Sequence, residues 1–162
     1  MAEEVEREHR SKLTEAKGLV RRHFQEIWND RRLDACDELM ADDFFEHAPA
    51  PFSQTPPGRV HGPSAMRGTV AWLTGQFPDL RMDVEALIAE DDVVAARVVA
   101  RGTFLGQTAG GPPPTGRSFE ARQTHWFRVA GGQLVEHWAT RDDLTTMIQT
   151  GIVRPPAGGP PA

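Results

Sequence analysis

Apolar residues recur along this chain with two different periods, and the switch between them divides it into a helical and a stranded half. From Ser11 to Asp30 the apolar positions are Leu13, Ala16, Val20, Phe24, Ile27 and Trp28, which is the spacing of one helical face. Residues 1–10 are polar and predict a frayed or loosely helical extension. Asn29-Asp30 to Arg32 breaks the helix. A short second helix, Leu33 to Met40, follows with Asp34 as its cap. Asp42 to Ala48, holding Phe44-Phe45 and His47, reads as a short strand, and Pro49 to Pro57 as a proline-rich loop. Gly62-Pro63 opens a third helix, because proline at the first helical position gives up an N–H that would lack a partner anyway. Its buried face is Met66, Val70, Leu73 and Phe77, and Pro78 stops it.

After Pro78 the period falls to two. Leu80, Met82, Val84, Ala86 and Ile88 alternate with Arg81, Asp83 and Glu85, the pattern of a half-buried strand. Asp91-Asp92 turns the chain into a second buried set, Val94, Ala96, Val98, Ala100 and Phe104. A Gly/Pro loop runs from Gly106 to Gly116. Phe119 to Val129 and Leu134 to Arg141 are two strands joined at Gly131-Gly132. Asp142 to Gly151 predicts a short terminal helix packing Leu144, Met147 and Ile148, and the Pro/Gly-rich residues 154–162 predict a disordered tail. Helices followed by an antiparallel meander make an α+β domain over residues 11–153.

The last hairpin can be registered by cross-strand pairing. A two-residue loop pairs Ala130 with Gln133 and matches no charges. A three-residue loop with a glycine bulge sets Glu136 against Arg128, Asp142 against Arg122, Trp126 against Trp138 and Val129 against Val135, and is preferred. One face then carries Gln123, His125, Phe127, Val129, Val135, His137, Ala139 and Arg141. Apolar walls with a few hydrogen-bonding groups are what a small-molecule pocket needs, and a pure core would not hold those polar groups without partners. The opposite face, with Trp126 paired to Trp138, is an apolar patch that predicts a homodimer through the outer side of the sheet.

Composition narrows the chemistry. The chain has 162 residues, enough for one self-sufficient core, and a net charge of −5 with no basic cluster, which argues against nucleic acid as its partner. Its single cysteine, Cys36, gives no disulfide and suits the cytoplasm. The most apolar stretch, Val93 to Ala100, contains Arg97, so no membrane span is expected. There is no tyrosine, so no mechanism can use a phenol. No His-x-x-x-His pair or His/carboxylate cluster has metal-ligand spacing, and no metal is expected.

Phe77-Pro78-Asp79-Leu80, Pro113-Pro114-Thr115-Gly116-Arg117, Gln123-Thr124-His125, and Glu136-His137-Trp138 followed by Asp142 and Gly151 together resemble the SnoaL-like polyketide cyclases of the nuclear transport factor 2-like superfamily. The resemblance covers about residues 15 to 152. It implies a cone-shaped fold, a curved antiparallel sheet wrapped by three helices around one deep pocket, and catalysis without metal or organic cofactor. It further implies intramolecular aldol ring closure, with an aspartate removing the proton alpha to a carbonyl and a Gln-x-His pair assisting. Gln123 and His125 match that pair, but the aspartate's position, two residues after His137, is Ala139. Ketosteroid-isomerase-like and scytalone-dehydratase-like sites use tyrosine and are set aside. A limonene-epoxide-hydrolase-like site needs Arg-x-Asp on a pocket strand, and Arg81-Met82-Asp83 lies on the polar side of its strand.

The candidate catalytic residues are therefore His125 as general acid/base, Gln123 beside it, and Asp142. Asp142 has two roles open to it: a base raised by burial, or a helix cap or partner of Arg122. Arg141, His47, Phe127, Trp72 and His137 are candidate substrate-binding residues. Three functions are expected to compete: a cofactor-independent cyclase or isomerase acting on a polyketide-like carbonyl compound, a hydroxylase-type tailoring protein, and a non-catalytic binding or dimerisation domain.

Overall fold

The computed structural model describes residues 1–48, 60–107 and 111–155. The proline-rich loop 49–57 therefore lies outside the described residues, as do part of the loop 106–116 and most of the tail 154–162.

Helix α1 spans Ala2–Arg22, so the polar extension is helical from its start, with residues 1–12 exposed. At His23 the winding widens into a π-helix, His23–Asn29, whose His23, Phe24, Ile27 and Trp28 are all buried. Asn29 closes this segment against the sheet. Its amide donates to the carbonyl of Met82 at 2.9 Å and its carbonyl accepts from the Met82 N–H at 2.8 Å. Helix α2 is Ala35–Leu39, strand β1 Met40–Glu46, strand β2 Val60–His61 and helix α3 Gly62–Gln76. Strands β3 (Arg81–Glu90), β4 (Val93–Thr103), β5 (Ser118–Ala130) and β6 (Gln133–Arg141) form the meander, and α4 is Asp143–Gln149.

The strands form one six-stranded sheet in the order β2-β1-β6-β5-β4-β3. The meander is antiparallel as expected, but the sheet is mixed, because β1 runs parallel to β6. That pairing sets Glu46 beside His137. The core lies between the concave face of the sheet and the helices, with Val20, Phe24, Ile27, Val70, Val98, Phe127 and Leu134 at or near zero exposure.

Two bulges decide which side chains face inward. In β3 the register shifts between Val84 and Ala86, and a single extra residue reverses the alternation beyond it. Leu87 and Ala89 then pack on the core, while Ile88, expected inside, is 70 % exposed. In the last hairpin both expected registers occur in part. Ala130 pairs with Gln133 around a two-residue Gly131-Gly132 turn, and a shift between Arg128 and Val129 then restores Arg128↔Glu136 and Trp126↔Trp138. Val129 consequently opposes Leu134, which is buried, and Val135 leaves the inner face. The strand ends at Arg141, so Asp142 forms no pair with Arg122 in the ladder.

The outer face carries a row across four strands, Ile88–Ala95–Trp126–Trp138. Trp126 is 46 % exposed, and the Arg128 guanidinium lies 5.8 Å from the Trp138 ring centre. Arg81 and Asp83 are also outside. They pair with each other at 2.8 Å, and Asp83 takes Arg101 at 2.7 Å, so that Arg-x-Asp step is a surface network.

Two glycines make opposite demands. A Cβ on Gly106 would stand 1.6 Å from the Gly75 carbonyl oxygen, where the chain after β4 presses on the end of α3. A Cβ on Gly68, within α3, would meet nothing within 4 Å. Gly106→Ala is expected to destabilise by about 3 kcal/mol through overpacking, and Gly68→Ala to stabilise by roughly 0.5–1 kcal/mol through helix propensity. Urea unfolding of the two variants measures both.

Candidate active site

The concave face opens into a cavity between the sheet and the helices. Its walls are mainly apolar: Met66 and Leu73 from α3, Phe77, Leu80, Met82, Ala100 and Phe119. The polar groups come from four places. Gln123 and His125 project from β5, His137 and Arg141 from β6, Glu46 from β1, and His23 from the π-helix. Thr69, Gln76, Asp143 and Thr146 complete the polar lining.

Four of these groups form one buried chain. Glu46 Oε2 lies 2.6 Å from His137 Nδ1, His137 Nε2 lies 2.9 Å from His125 Nδ1, and His125 Nε2 lies 2.9 Å from Gln123 Oε1. The second Glu46 oxygen accepts the Ala48 N–H at 2.8 Å. All four residues are at most 8 % exposed. The chain exists because β1 runs beside β6, which lines Glu46 up with His137, and because β5 and β6 oppose Phe127 to His137 and His125 to Ala139.

Donor and acceptor bookkeeping allows two proton arrangements. With the Gln123 carbonyl toward His125, the ring carries its hydrogen on Nε2, and its Nδ1 accepts from His137 Nε2–H. A third proton is then shared between His137 Nδ1 and Glu46. With one proton fewer, Gln123 turns its amide and donates to a bare His125 Nε2. His125 Nδ1–H now donates to His137, and His137 Nδ1–H to the Glu46 carboxylate. Every hydrogen bond is made in both arrangements. They differ by one proton, entering or leaving at His125 Nε2. Burial holds His125 well below the usual histidine range, reinforced by His137, His23 and Arg141, so it passes a proton without resting as an imidazolium.

His23 is held differently. The Trp28 indole N–H donates to His23 Nε2 at 3.0 Å. Burial pushes His23 down to about 3, with His137 adding to the shift. A neutral ring accepting at Nε2 carries its hydrogen on Nδ1, and His23 Nδ1 has no hydrogen-bond partner among the described residues.

The expected site residues separate. Gln123, His125, His137 and Arg141 line the cavity together. Arg141 contacts Asp143 at 3.3 Å and the Ala48 carbonyl at 3.3 Å. Asp142 does not enter the cavity. It sits at the N-cap of α4, accepting the Thr145 N–H at 3.0 Å, and those bonds lower its carboxyl below the ordinary value. The cap role therefore holds, and Asp143 is the neighbouring carboxylate that reaches the lining. His47 is also displaced. It lies outside the cavity lining, stacked on Trp138 at 4.5 Å and 2.9 Å from Glu136, because the alternation of β1 turns Glu46 inward and His47 outward. Phe127 is fully buried behind the histidines rather than lining the cavity, and Trp72 is half-buried outside the lining.

Glu46, His23 and Asp143 are functional candidates that sequence reasoning missed. His23 follows Ala16 and Val20 at helical spacing, so its position was available. For Glu46, the Phe44-Phe45 pair leaves the strand's parity open, and only the parallel pairing to β6 settles it. The lone cysteine adds no nucleophile, since burial in α2 pushes the Cys36 thiol up to about 11.

The SnoaL-like polyketide cyclase family model matches residues 18–150. The chain belongs to that family. The structure of IdmH from Streptomyces antibioticus, assigned as a polyketide cyclase, is 33% identical, with a TM-score of 0.73 over 84% of this chain and 98% of that one. A SnoaL-like protein from Jannaschia sp. CCS1 is 28% identical, with a TM-score of 0.73 over 88% of this chain and 94% of its own. AclR from Streptomyces galilaeus, assigned as a hydroxylase, shares the fold at 21% identity, with a TM-score of 0.71 over 90% of this chain and 87% of that one. No curated protein matches the sequence. Among the described residues no helix is long and apolar enough to cross a membrane.

The buried neutral histidines make stability depend on pH. His23 titrates near 3 when folded and near 6.5 when unfolded, so between those values the unfolded chain binds more protons. The stabilisation is complete above pH 6.5 and is lost as pH falls through the window. From pH 7 to pH 5 His23 is expected to cost about 2 kcal/mol, and His125 acts in the same direction. Urea unfolding at the two pH values should show the loss. His23→Gln, whose carbonyl can still accept from Trp28, should remove the His23 part, about 2 kcal/mol.

Proposed function

We propose that this protein is a polyketide-cyclase-type enzyme that moves a proton on a polyketide-like carbonyl compound, using its own side chains and neither a metal nor an organic cofactor. The observation that carries this reading is the unbroken hydrogen-bonded chain from Glu46 through His137 to His125 and Gln123, ending at an apolar cavity.

The chemistry balances within the chain of groups. In the arrangement with one proton fewer, the Gln123 amide gives up its bond to His125 Nε2, which then takes the proton from the carbon alpha to a carbonyl. The C–H electron pair becomes the enolate double bond, and negative charge moves to the carbonyl oxygen. The His125 Nδ1 proton passes to His137, and the His137 Nδ1 proton to Glu46. In ring closure the enolate carbon attacks a second carbonyl carbon, and the new alkoxide takes back a proton from His125 Nε2–H while the relay runs in reverse. In isomerisation the proton returns to another carbon. Either way the relay regenerates itself and no oxidant is required. The base removed from the strand by Ala139 is thereby supplied by His125, which stands directly across the ladder from it.

Ala139 is also the observation that favours the second reading, a hydroxylase-type tailoring protein. Oxygen insertion needs an oxidant in addition to proton transfer, and the relay contributes only the latter. Arg141, held among Asp143 and the Ala48 carbonyl at the cavity wall, is suited to orient a carbonyl or enolate oxygen.

We further propose that the outer row Ile88–Ala95–Trp126–Trp138 covers itself with a second copy. The row is apolar and partly exposed, with Ile88 at 70 % and Trp126 at 46 %, and a two-fold axis through it lays the row of one copy on that of the other, as an isologous contact requires.

Exchange of alpha protons tests the relay. With 1-tetralone in D₂O, the wild type is expected to accelerate deuterium incorporation at the alpha carbon, and His125→Gln to reduce it by about 10²-fold or more. Glu46→Gln should reduce it less, because it shortens the relay without removing the group that meets the carbon. Exchange unaffected by either substitution refutes the assignment, and oxygen uptake with a genuine substrate would favour the hydroxylase-type reading. For the outer face, Trp126→Arg is expected to turn a dimer into a monomer in sedimentation at micromolar concentration. A wild-type monomer under those conditions overturns the pairing.

A further inference from the structure

His23 is a cavity-wall residue to which the relay gives no role. Three observations converge on it. It opens the π-helix His23–Asn29, whose i→i+5 winding brings residues five apart onto one side, so that Trp28 can donate to it. Short π-helical turns recur at functional sites because they cost helix stability that packing alone does not repay. Its tautomer is fixed, since an indole N–H can only donate and the acceptor it uses is Nε2. Finally, the Nδ1 hydrogen this leaves has no acceptor among the described residues, in a side chain only 1 % exposed. Leaving a buried donor unmade is costly, and among the described residues no other buried side-chain atom of the cavity lining lacks a partner.

The ring cannot turn to relieve this. Phe24 packs edge-on at 5.0 Å between ring centres and Phe127 at 4.9 Å, while Trp28 holds the other nitrogen. His137, the middle of the relay, has its ring centre 6.4 Å away. A neutral imidazole so held is a fixed, uncharged donor, which can stabilise a carbonyl oxygen as negative charge develops on it without competing for the proton.

We propose that His23 is a substrate-binding residue whose Nδ1–H donates to a ring carbonyl oxygen of an aromatic polyketide-like ligand. This rests on the ligand class proposed above, but it concerns recognition and not the relay. Trp28 is then a positioning residue, which keeps the hydrogen on Nδ1.

Binding without turnover tests it. The probes are 1,8-dihydroxyanthraquinone and the hydrocarbon anthracene, of the same ring framework but without the carbonyls, titrated calorimetrically into the full-length protein. The wild type is expected to bind the quinone more tightly than the hydrocarbon. His23→Phe and His23→Gln, the second retaining an acceptor for Trp28, are expected to lose about tenfold in quinone affinity with anthracene unchanged. Long-range ¹⁵N–¹H NMR should show His23 as the Nδ1–H tautomer, with Nδ1 shifting on addition of quinone and not of anthracene. The readout is binding and not proton exchange, so failure of the relay in the exchange assay leaves this result standing. A wild type without preference for the quinone overturns the inference, as does an equal loss of both probes in the His23 variants or an Nδ1 resonance unmoved by quinone.

Discussion

The contact between Glu46 and His137 is the constraint on which the rest of the site depends. A carboxylate and an imidazole meet at 2.6 Å with almost no exposure, and neither can be left without the other, because an uncompensated charge in such a place costs several kcal/mol. The pair is possible only because β1 lies parallel to β6. An antiparallel β1 in the same place would change the register and carry Glu46 away from His137. The one parallel pairing in the sheet is therefore what turns two separate polar residues into the start of a relay. Each further member is fixed by the one before it, with His125 located by His137 and Gln123 by His125. Such networks are strong when complete and a liability when partial.

Much of this was legible in the sequence. The hydrophobic period located α2 to α4, β1 and the four strands of the meander to within a few positions, while β2 was not foreseen and α1 starts well before Ser11. Charge and aromatic pairing found Arg128↔Glu136 and Trp126↔Trp138 in the last hairpin. Parity was less visible. Ile88 and Val135 were expected inside and lie outside: the β3 bulge reverses the strand beyond it, and Val135 is itself the extra residue of the β6 bulge, after which the expected faces return. His47 was a candidate for substrate binding and Glu46 was not, because two adjacent phenylalanines mask which side of the strand faces the core. Asp142 failed in another way. Its distance from the strand end could be counted, but whether a strand or a helix cap claims it depends on where β6 stops, and cap chemistry won at Thr145. His23 went unnoticed because attention to apolar residues passes over a histidine lying on an apolar face.

The parity reversals also separate the two sides of the sheet. Beyond the β6 bulge, Leu134 faces inward and Val135 outward, while His137 and Arg141 still reach the cavity. Beyond the β3 bulge, Ile88 joins Trp126 and Trp138 on the outer face. One sheet thus presents a mainly apolar cavity with a few polar groups on its concave side and an aromatic row on its convex side.

The loss of a strand aspartate at Ala139 is consistent with this arrangement. A carboxylate at that position would place a negative charge directly opposite His125, at the reacting carbon, and would raise the histidine toward protonation. In the relay the charge resides on Glu46, two imidazoles away, where the Ala48 N–H and His137 bind it. The His125 imidazole that meets the reacting carbon stays neutral in both proton arrangements, so the enolate charge forms beside a neutral ring and not beside a second anion. Moving the base from the strand into the relay thus exchanges a strong local base for a neutral one whose charge is held at a distance. That exchange suits a substrate whose alpha protons are already acidified by adjacent carbonyls.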